Sequence, residues 1–184
     1  MDLIRRLHAS LMGCIQAVLG IGAITSVRCH TQEWIICCMK VLWQCPESAE
    51  AMLVLAHGAG AGMAHRNLQA LADAFGRQSV ATLRFDFPFI EAGRKRVDSR
   101  AVATAAIAEA CAEASRRAAL PLWLGGHSFG GRMASHAVID EGLEPRGLIF
   151  CSFPLHPAGK PSINRAAHLQ AINRPMLFLS GTRD

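Results

Sequence analysis

The chain has 184 residues, of which 51% are hydrophobic and 18% charged, a composition typical of a folded globular domain and not of a disordered segment. Its net charge of +5 comes from basic residues spread along the chain, without the stripe of Lys and Arg interleaved with aromatics that nucleic-acid binding requires, and there is no tyrosine. These features exclude a disordered chain and a nucleic-acid-binding protein, and they predict one domain with its own core.

Residues 1–45 form an N-terminal segment that differs from the rest. Arg5 and Arg6 precede a mostly apolar run at 11–27, which has the shape of a signal peptide or a membrane anchor. The run is marginal for crossing about 30 Å of hydrocarbon and contains three glycines, so a buried or surface helix, or a wrongly assigned start, are the other interpretations. The apolar residues at 34–43 predict an earlier strand, with a buried helix as the alternative interpretation. Membrane association is expected only through 11–27, and localisation stays open, with the cytoplasm favoured over export or anchoring.

The seven cysteines do not form a recognisable framework. Their odd number argues against a complete set of disulfides. None of their intervals gives the paired two-residue spacing with which neighbouring thiolates bind one tetrahedral zinc ion, so no metal site is expected. We interpret them as reduced, partly buried thiols. They are Cys14, Cys29, Cys37, Cys38, Cys45, Cys111 and Cys151.

From residue 46 to 184, short apolar runs alternate with longer amphipathic ones, which indicates a second and larger unit. Strands are predicted at 51–56, 80–85, 122–126, 147–151 and 176–180, and helices at 67–77, 99–118, 129–139 and 164–171, with a loop at 86–97. Apolar strands separated by helices predict a mostly parallel sheet with helices on both faces. Such a sheet places its chemistry at the carboxyl ends of the strands.

The strongest motif is Gly126-His127-Ser128-Phe129-Gly130, which follows a predicted strand and begins a predicted helix. A strand followed by a helix is the context that the nucleophile-elbow motif G-x-S-x-G requires. The turn presents the Ser128 hydroxyl, and its flanking positions must be small because the turn packs against neighbouring strands. The free N–H groups at the start of the helix stabilise negative charge on an attacked carbonyl. A chance match in a chain with 16 glycines is the competing interpretation, and the surrounding strand and helix favour the elbow.

A second glycine-rich motif, HGAGAG, begins at His57 and ends at Gly62, directly after a predicted strand. A loop that cradles phosphate is one interpretation. Met63 and His65 stand where G-x-G-x-x-G requires its last glycine, and the chain has no G-K-[ST], so no nucleotide cofactor is expected. A histidine-glycine turn after an early strand favours a different role, the supply of a backbone N–H to an oxyanion hole.

The motifs HGAGAG and GGHSFGGRM, together with the segment ATLRFDFP at 81–88, resemble sequences of the α/β-hydrolase superfamily. Within it they are most similar to the compact dienelactone-hydrolase-like branch that includes the KANL/Tex-type hydrolases. The resemblance covers about 51–184. It implies the α/β-hydrolase fold, here with a C-terminal strand and helix expected to be missing, and a serine hydrolase that cleaves a carboxylic ester, lactone or thioester in a small-molecule substrate without a cofactor.

The resemblance also implies roles for individual residues. Ser128 matches the nucleophile, and the backbone N–H groups of Ala59 and Phe129 match the oxyanion donors. Asp184 follows a predicted strand, where these enzymes place the acid that orients the base histidine. The residues expected to support the two motifs are His57, Gly58, Gly126 and Gly130.

The general base is the point at which the sequence departs from this pattern. The triad order is Ser, Asp, His, and no histidine follows Asp184. His127 is expected to point away from the nucleophile and His57 to belong to the oxyanion turn, which leaves His156 and His168 as the nearest substitutes. The base is therefore expected in a C-terminal continuation of the chain. The alternative is a catalytically inactive binding or scaffold protein of the same fold.

Overall fold

Seven strands form one sheet in a computed structural model that describes residues 32–34, 39–156 and 162–181. They are β1 (Gln32–Trp34), β2 (Val41–Gln44), β3 (Ala51–Ala56), β4 (Val80–Phe85), β5 (Leu122–His127), β6 (Leu148–Cys151) and β7 (Met176–Leu179). Their order across the sheet is β1-β2-β4-β3-β5-β6-β7. From β4 to β7 neighbouring strands run parallel, whereas β2 is antiparallel to both β1 and β4. The predicted mostly parallel sheet is confirmed.

Helices cover both faces of the sheet, as predicted. They are α1 (Arg66–Gly76), α2 (Pro88–Glu91), α3 (Arg100–Arg117) and α4 (Phe129–Asp140), with a 3-10 helix at Ala167–Ala171. α1 packs on the face that carries Leu53 and Leu55. α3 and α4 pack on the opposite face, which carries Met52 and Val54. Because both faces are covered, every residue of β3 and of β4 is buried.

Local sequence sets the ends of the helices. α3 begins after Ser99, whose hydroxyl accepts a hydrogen bond from the Val102 N–H at 3.4 Å. Its last turn carries Arg116 and Arg117, whose charges suit the negative end of the helix dipole. α2 begins at Pro88, the position where a helix tolerates proline because no N–H is needed there.

Three elements differ from the sequence predictions. Where a single strand was predicted at 34–43, the structure has two strands, β1 and β2, which pair antiparallel. An apolar run of residues does not distinguish one strand from two. The loop predicted at 86–97 contains the short helix α2. The helix predicted at 164–171 is a 3-10 turn that begins only at Ala167. β1 and β2 precede residue 46 and are hydrogen-bonded into the same sheet as β3 to β7.

The described residues bear on two further predictions. Among them no helix is both long and apolar enough to cross a membrane, and the run at 11–27 lies outside them. Cys45, Cys111 and Cys151 are free thiols. Burial raises the pKa of Cys111 and of Cys151 to about 12, so both stay protonated and unreactive at neutral pH.

β5 is the central strand that carries the elbow, and it comes very close to its neighbour β6. A Cβ at Gly125 would overlap the backbone carbonyl oxygen of Ile149. Glycine at this position therefore allows an approach that every other residue type would block.

Two stacked histidines join α4 to the 3-10 helix. The ring centroids of His136 and His168 lie 3.8 Å apart, and His168 Nε2 lies 2.7 Å from the Ser135 hydroxyl. Burial lowers the pKa of His136 to about 4, and the nearby His168 and the Arg100 guanidinium add to this effect. The pKa of His168 is also lowered, first by burial. Both rings are therefore neutral at pH 7.

Acidification should destabilise this contact. An unfolded histidine has a pKa of about 6.5, so between that pH and about 4 the unfolded chain binds a proton at position 136 that the folded chain does not. The free energy of unfolding therefore keeps its full value above pH 6.5 and falls as the pH is lowered from 6.5 to about 4. We expect His136→Phe, which keeps a stacked ring, to show a shallower loss of unfolding free energy between pH 6.5 and 5 in urea denaturation; equal slopes would contradict the lowered pKa.

Gly125→Ala tests the close approach of β5 and β6. We expect it to lower the free energy of unfolding by about 1–3 kcal/mol, the usual cost of forcing extra volume into a packed core. Gly60→Ala is the matched control, since a Cβ there meets nothing within 4 Å, and its effect should stay within about 0.5 kcal/mol. Urea denaturation measures both, and equal stabilities of the two variants would refute the packing argument.

Candidate active site

Ser128 lies in a strained turn between β5 and α4. Its backbone angles are φ 50° and ψ −110°, a conformation that costs a non-glycine residue of order 1–3 kcal/mol. The surrounding structure holds it there: its N–H donates a hydrogen bond to the carbonyl of Cys151 on β6 at 2.9 Å. Its side chain does not cap α4, so the hydroxyl is not used by the helix. Strain of this kind is concentrated at functional sites.

The two glycines of the elbow allow its close contact with the end of β3. A Cβ at Gly126 would lie 2.5 Å from the Ala56 carbonyl oxygen. A Cβ at Gly130 would lie 2.5 Å from the carbonyl oxygens of both Ala56 and His57. Real Cβ atoms do not approach that closely, so the contact between elbow and β3 requires glycine at both positions. It also fixes the distance between Ser128 and the glycine-rich turn that follows β3.

The start of α4 provides an electropositive environment beside Ser128. The first backbone N–H of this helix that bonds within it is that of Arg132, which donates to the Ser128 carbonyl at 3.1 Å. The N–H groups of the preceding turn have no intrahelical partner, as at every helix start, and they include the N–H of Phe129. The helix dipole adds to their effect, so this end of α4 stabilises negative charge.

Ser128 and the glycine-rich turn line one cavity of about 280 Å³. The cavity therefore brings together two predicted site residues that lie far apart in the sequence, Ser128 and Ala59. Further lining residues that sequence analysis did not select are His65, Asn67 and Leu68, at the start of α1. Their signal in the sequence is their position directly after the glycine-rich motif. The full lining set is His57, Gly58, Ala59, Gly60, Ala61, His65, Asn67, Leu68, His127 and Ser128.

Both ring nitrogens of His57 are engaged in hydrogen bonds. Nδ1 lies 2.7 Å from the Gly58 carbonyl oxygen, and Nε2 accepts a hydrogen bond from the Phe87 N–H at 3.0 Å. Only the neutral ring with its proton on Nδ1 satisfies both contacts. Burial lowers the pKa of His57, in agreement with the neutral form. His57 thus links the end of β3 to the segment after β4, and it has no free nitrogen with which to act as a base.

The other histidines fall into two groups. His127 and His65 line the cavity. His127 lies beside Gly58, where a Cβ would come within 2.9 Å of the His127 Nδ1, so a glycine at position 58 leaves room for the ring. His168 bonds the buried Ser135 of α4, and neither it nor His156 lines the cavity. Asp184 lies outside the described residues.

An aromatic cluster packs behind the site. The ring of Phe87 contacts His57 at a centroid distance of 4.9 Å and Phe129 at 5.3 Å. Phe89 stacks on Phe87, and both are fully buried. These rings therefore support the site from the core and do not line the cavity. In the described part of the chain no group of three or more His, Cys, Asp or Glu side chains is placed to hold a metal ion.

Comparison with known proteins gives the same family as the sequence motifs. Residues 49–184 match the model of a family described as an alpha/beta hydrolase domain. The chain belongs to this family. Its members form an enzyme superfamily, and the resemblance of the two motifs to the α/β-hydrolases is confirmed. None of the curated proteins matches the chain.

Solved structures share the α/β-hydrolase fold of the chain. TT1662 from Thermus thermophilus has 25% sequence identity and a TM-score of 0.62, over 86% of this chain and 77% of that protein. A dienelactone hydrolase from Anabaena variabilis has 18% identity and a TM-score of 0.65, over 84% and 75%. An alpha-beta serine hydrolase homologue from Coxiella burnetii has 16% identity and a TM-score of 0.61, over 87% and 89%. At identities below 25% the last two show a common fold.

The structural role of His57 in this α/β-hydrolase can be tested by two substitutions. His57→Leu leaves the buried Phe87 N–H without an acceptor, which should cost about 1–3 kcal/mol of unfolding free energy. His57→Gln offers an amide oxygen to the same N–H and should lose less. Urea denaturation at pH 7 measures the difference; a leucine variant as stable as the glutamine variant would contradict this role.

Proposed function

We propose that the chain is a serine hydrolase that cleaves an ester-like bond through an acyl-enzyme at Ser128, within a catalytic domain at 46–184. One observation carries the proposal: a serine in a strained turn, at the start of a helix, shares a cavity with a glycine-rich turn from the neighbouring strand. Acyl transfer needs a nucleophilic hydroxyl group with backbone N–H donors near it, and Ser128 and Ala59 of the glycine-rich turn line the same cavity.

The reaction begins when the Ser128 hydroxyl oxygen attacks the carbonyl carbon and its proton passes to the base. The carbonyl oxygen becomes an oxyanion, which the N–H groups of Ala59 and Phe129 stabilise by hydrogen bonds. Collapse of this intermediate breaks the ester bond, and the alcohol, or the thiol of a thioester, leaves with the proton from the base. Water then attacks the acyl-enzyme by the reverse proton transfers, which releases the acid and restores Ser128.

The mechanism also requires a base that accepts the Ser128 proton. His57 has both nitrogens engaged, and His168 bonds Ser135 and does not line the cavity. We propose that the base is a histidine that Asp184 orients, in the Ser, Asp, His order of the family. No step requires a metal or an organic cofactor.

The cavity suggests the class of substrate. Its volume of about 280 Å³ lies just below the range of about 300–1,000 Å³ for small-molecule sites. Its lining mixes the apolar Leu68 with the polar His65 and Asn67. We propose a small carboxylic ester, lactone or thioester as the substrate.

A second candidate function is that of a catalytically inactive binding or scaffold protein with the same fold. It would apply if Ser128 has no base, because a serine without a base retains only what oxyanion donors and binding supply. The two functions differ in the reactivity of Ser128.

A fluorophosphonate probe separates them. In protein that carries the proposed base histidine, we expect the probe to modify Ser128 and the modification to be lost in Ser128→Ala, since only an activated hydroxyl attacks phosphorus at a useful rate. Mass spectrometry of the intact protein and of its peptides measures the extent and the position of labelling.

Ser152→Ala is the matched control. Ser152 also follows a strand of the sheet with a positive φ, of 55°, and donates its N–H to the next strand, to Leu179 at 2.8 Å. It does not line the cavity, so its removal should leave labelling unchanged. A chain that stays unlabelled at Ser128 would support the inactive alternative, and labelling that survives Ser128→Ala would remove the nucleophile assignment.

A further inference from the structure

The glycine-rich turn, residues 57–62, is held at both of its ends by the segment in which β4 terminates. At its start, His57 accepts a hydrogen bond from the Phe87 N–H at 3.0 Å. At its end, the next residue, Met63, contacts Arg84 and Asp86. The turn that carries Ala59 is thus fixed from β4, a strand that contributes no lining residue of the cavity.

Asp86 and Arg84 bind the two polar groups of the Met63 backbone. Asp86 Oδ1 accepts a hydrogen bond from the Met63 N–H at 2.6 Å. Arg84 Nη1 donates to the Met63 carbonyl oxygen at 3.1 Å. Both bonds involve a charged side chain, and such hydrogen bonds are roughly twice as strong as neutral ones.

Gly62 lets Asp86 reach this position. A Cβ at Gly62 would lie 2.7 Å from Asp86 Oδ1, the same oxygen that binds Met63. The last glycine of HGAGAG therefore has a packing reason that differs from those of the glycines in the elbow. No side chain fits at position 62, because the Asp86 carboxylate occupies the space.

Arg84 is fully buried and is held in place from its other side. Arg84 Nη2 donates to Gln69 Oε1 at 2.8 Å, and Gln69 Nε2 donates to Asp73 Oδ1 at 2.8 Å. Gln44 of β2 donates to the same Asp73 oxygen at 3.1 Å. Burying a cation is costly unless hydrogen bonds compensate it, and the bonds of Nη1 to Met63 and of Nη2 to Gln69 hold the guanidinium in one orientation.

We propose that Arg84 and Asp86 are positioning residues, which hold the glycine-rich turn in the conformation that presents the Ala59 N–H to the oxyanion. This inference rests on the proposed function of Ser128 and Ala59. A turn with five non-helical small residues in succession is intrinsically mobile, because glycine and alanine restrict the backbone least. An oxyanion donor contributes to catalysis only if it is already in place before charge develops. Anchoring of Met63 meets that requirement.

Asp86→Ala tests the anchoring. It removes the acceptor of the Met63 N–H, and we expect faster hydrogen-deuterium exchange in the peptide that covers 58–63. We also expect the rate constant of covalent reaction with a fluorophosphonate probe to fall about tenfold or more, with little change in the concentration that half-saturates the reaction. Loss of a whole oxyanion donor costs about 100- to 1,000-fold, so a misplaced donor should cost less.

Asp86→Asn and Gly62→Ala refine the test. Asparagine keeps an oxygen acceptor for the Met63 N–H and should restore most of the rate. Gly62→Ala keeps the carboxylate but displaces it, and should act in the same direction as Asp86→Ala, which guards against a variant that fails only because it unfolds.

Asp98→Ala is the matched control. Asp98 is buried, and its Oδ2 likewise accepts a hydrogen bond from a backbone N–H, that of Phe89 at 2.9 Å, but it does not touch the glycine-rich turn. Its loss should lower stability without faster exchange at 58–63 and without the tenfold fall in rate.

The outcomes separate the two proposals. Unchanged exchange at 58–63 in Asp86→Ala, or an equal effect of Asp98→Ala on exchange and rate, would overturn the positioning role. If the unsubstituted chain does not react with the probe, the proposed function fails, and the exchange measurement still decides whether Asp86 anchors the turn.

Discussion

The site depends on one backbone contact, that between the elbow and the last carbonyl groups of β3. Ala56 and the following residue, His57, turn their carbonyl oxygens toward Gly126 and Gly130, so closely that a side chain at either glycine would collide with them. This contact joins two segments about 70 residues apart in the chain, and it sets the distance between the Ser128 hydroxyl and the turn that holds Ala59. Because backbone atoms make it, the geometry does not depend on the rotamer of any side chain.

Hydrogen bonds hold the polar and charged side chains that are buried around the site. His57 is neutral, because one of its ring nitrogens donates a hydrogen bond and the other accepts one. Burial of the ring also lowers its pKa. The Arg84 guanidinium donates to the Met63 carbonyl oxygen and to Gln69 of α1, and Gln69 in turn donates to Asp73. Both residues attach the glycine-rich turn to the segment where β4 ends. These contacts hold the glycine-rich turn in one conformation beside the cavity. Burying the polar groups that make the contacts costs free energy, and the hydrogen bonds offset much of that cost.

The sequence predicted most of the fold because the parallel strands are buried on both faces and read as short apolar runs. Its errors occurred where that signal is ambiguous. The text at 34–43 is apolar enough for one strand, but pairing with β4 begins only at Val41, and the first strand pairs back on the second. Helix α2 was missed because four residues are too few to show a period. The contact between His127 and Gly58 was not predicted, because it joins distant segments and no local pattern encodes it.

By itself the sequence determined the family and the candidate nucleophile, since Ser128 stands in a motif whose spacing and flanking glycines reflect local backbone geometry. It also indicated that the turn after β3 belongs to the same site. Only the tertiary structure decided which groups fix that turn and which histidine nitrogens are engaged, because those contacts join residues 20 to 30 positions apart whose side chains meet only after β3 and β4 pair. Strand pairing, and not any local signal, brings Arg84 and Asp86 to Met63.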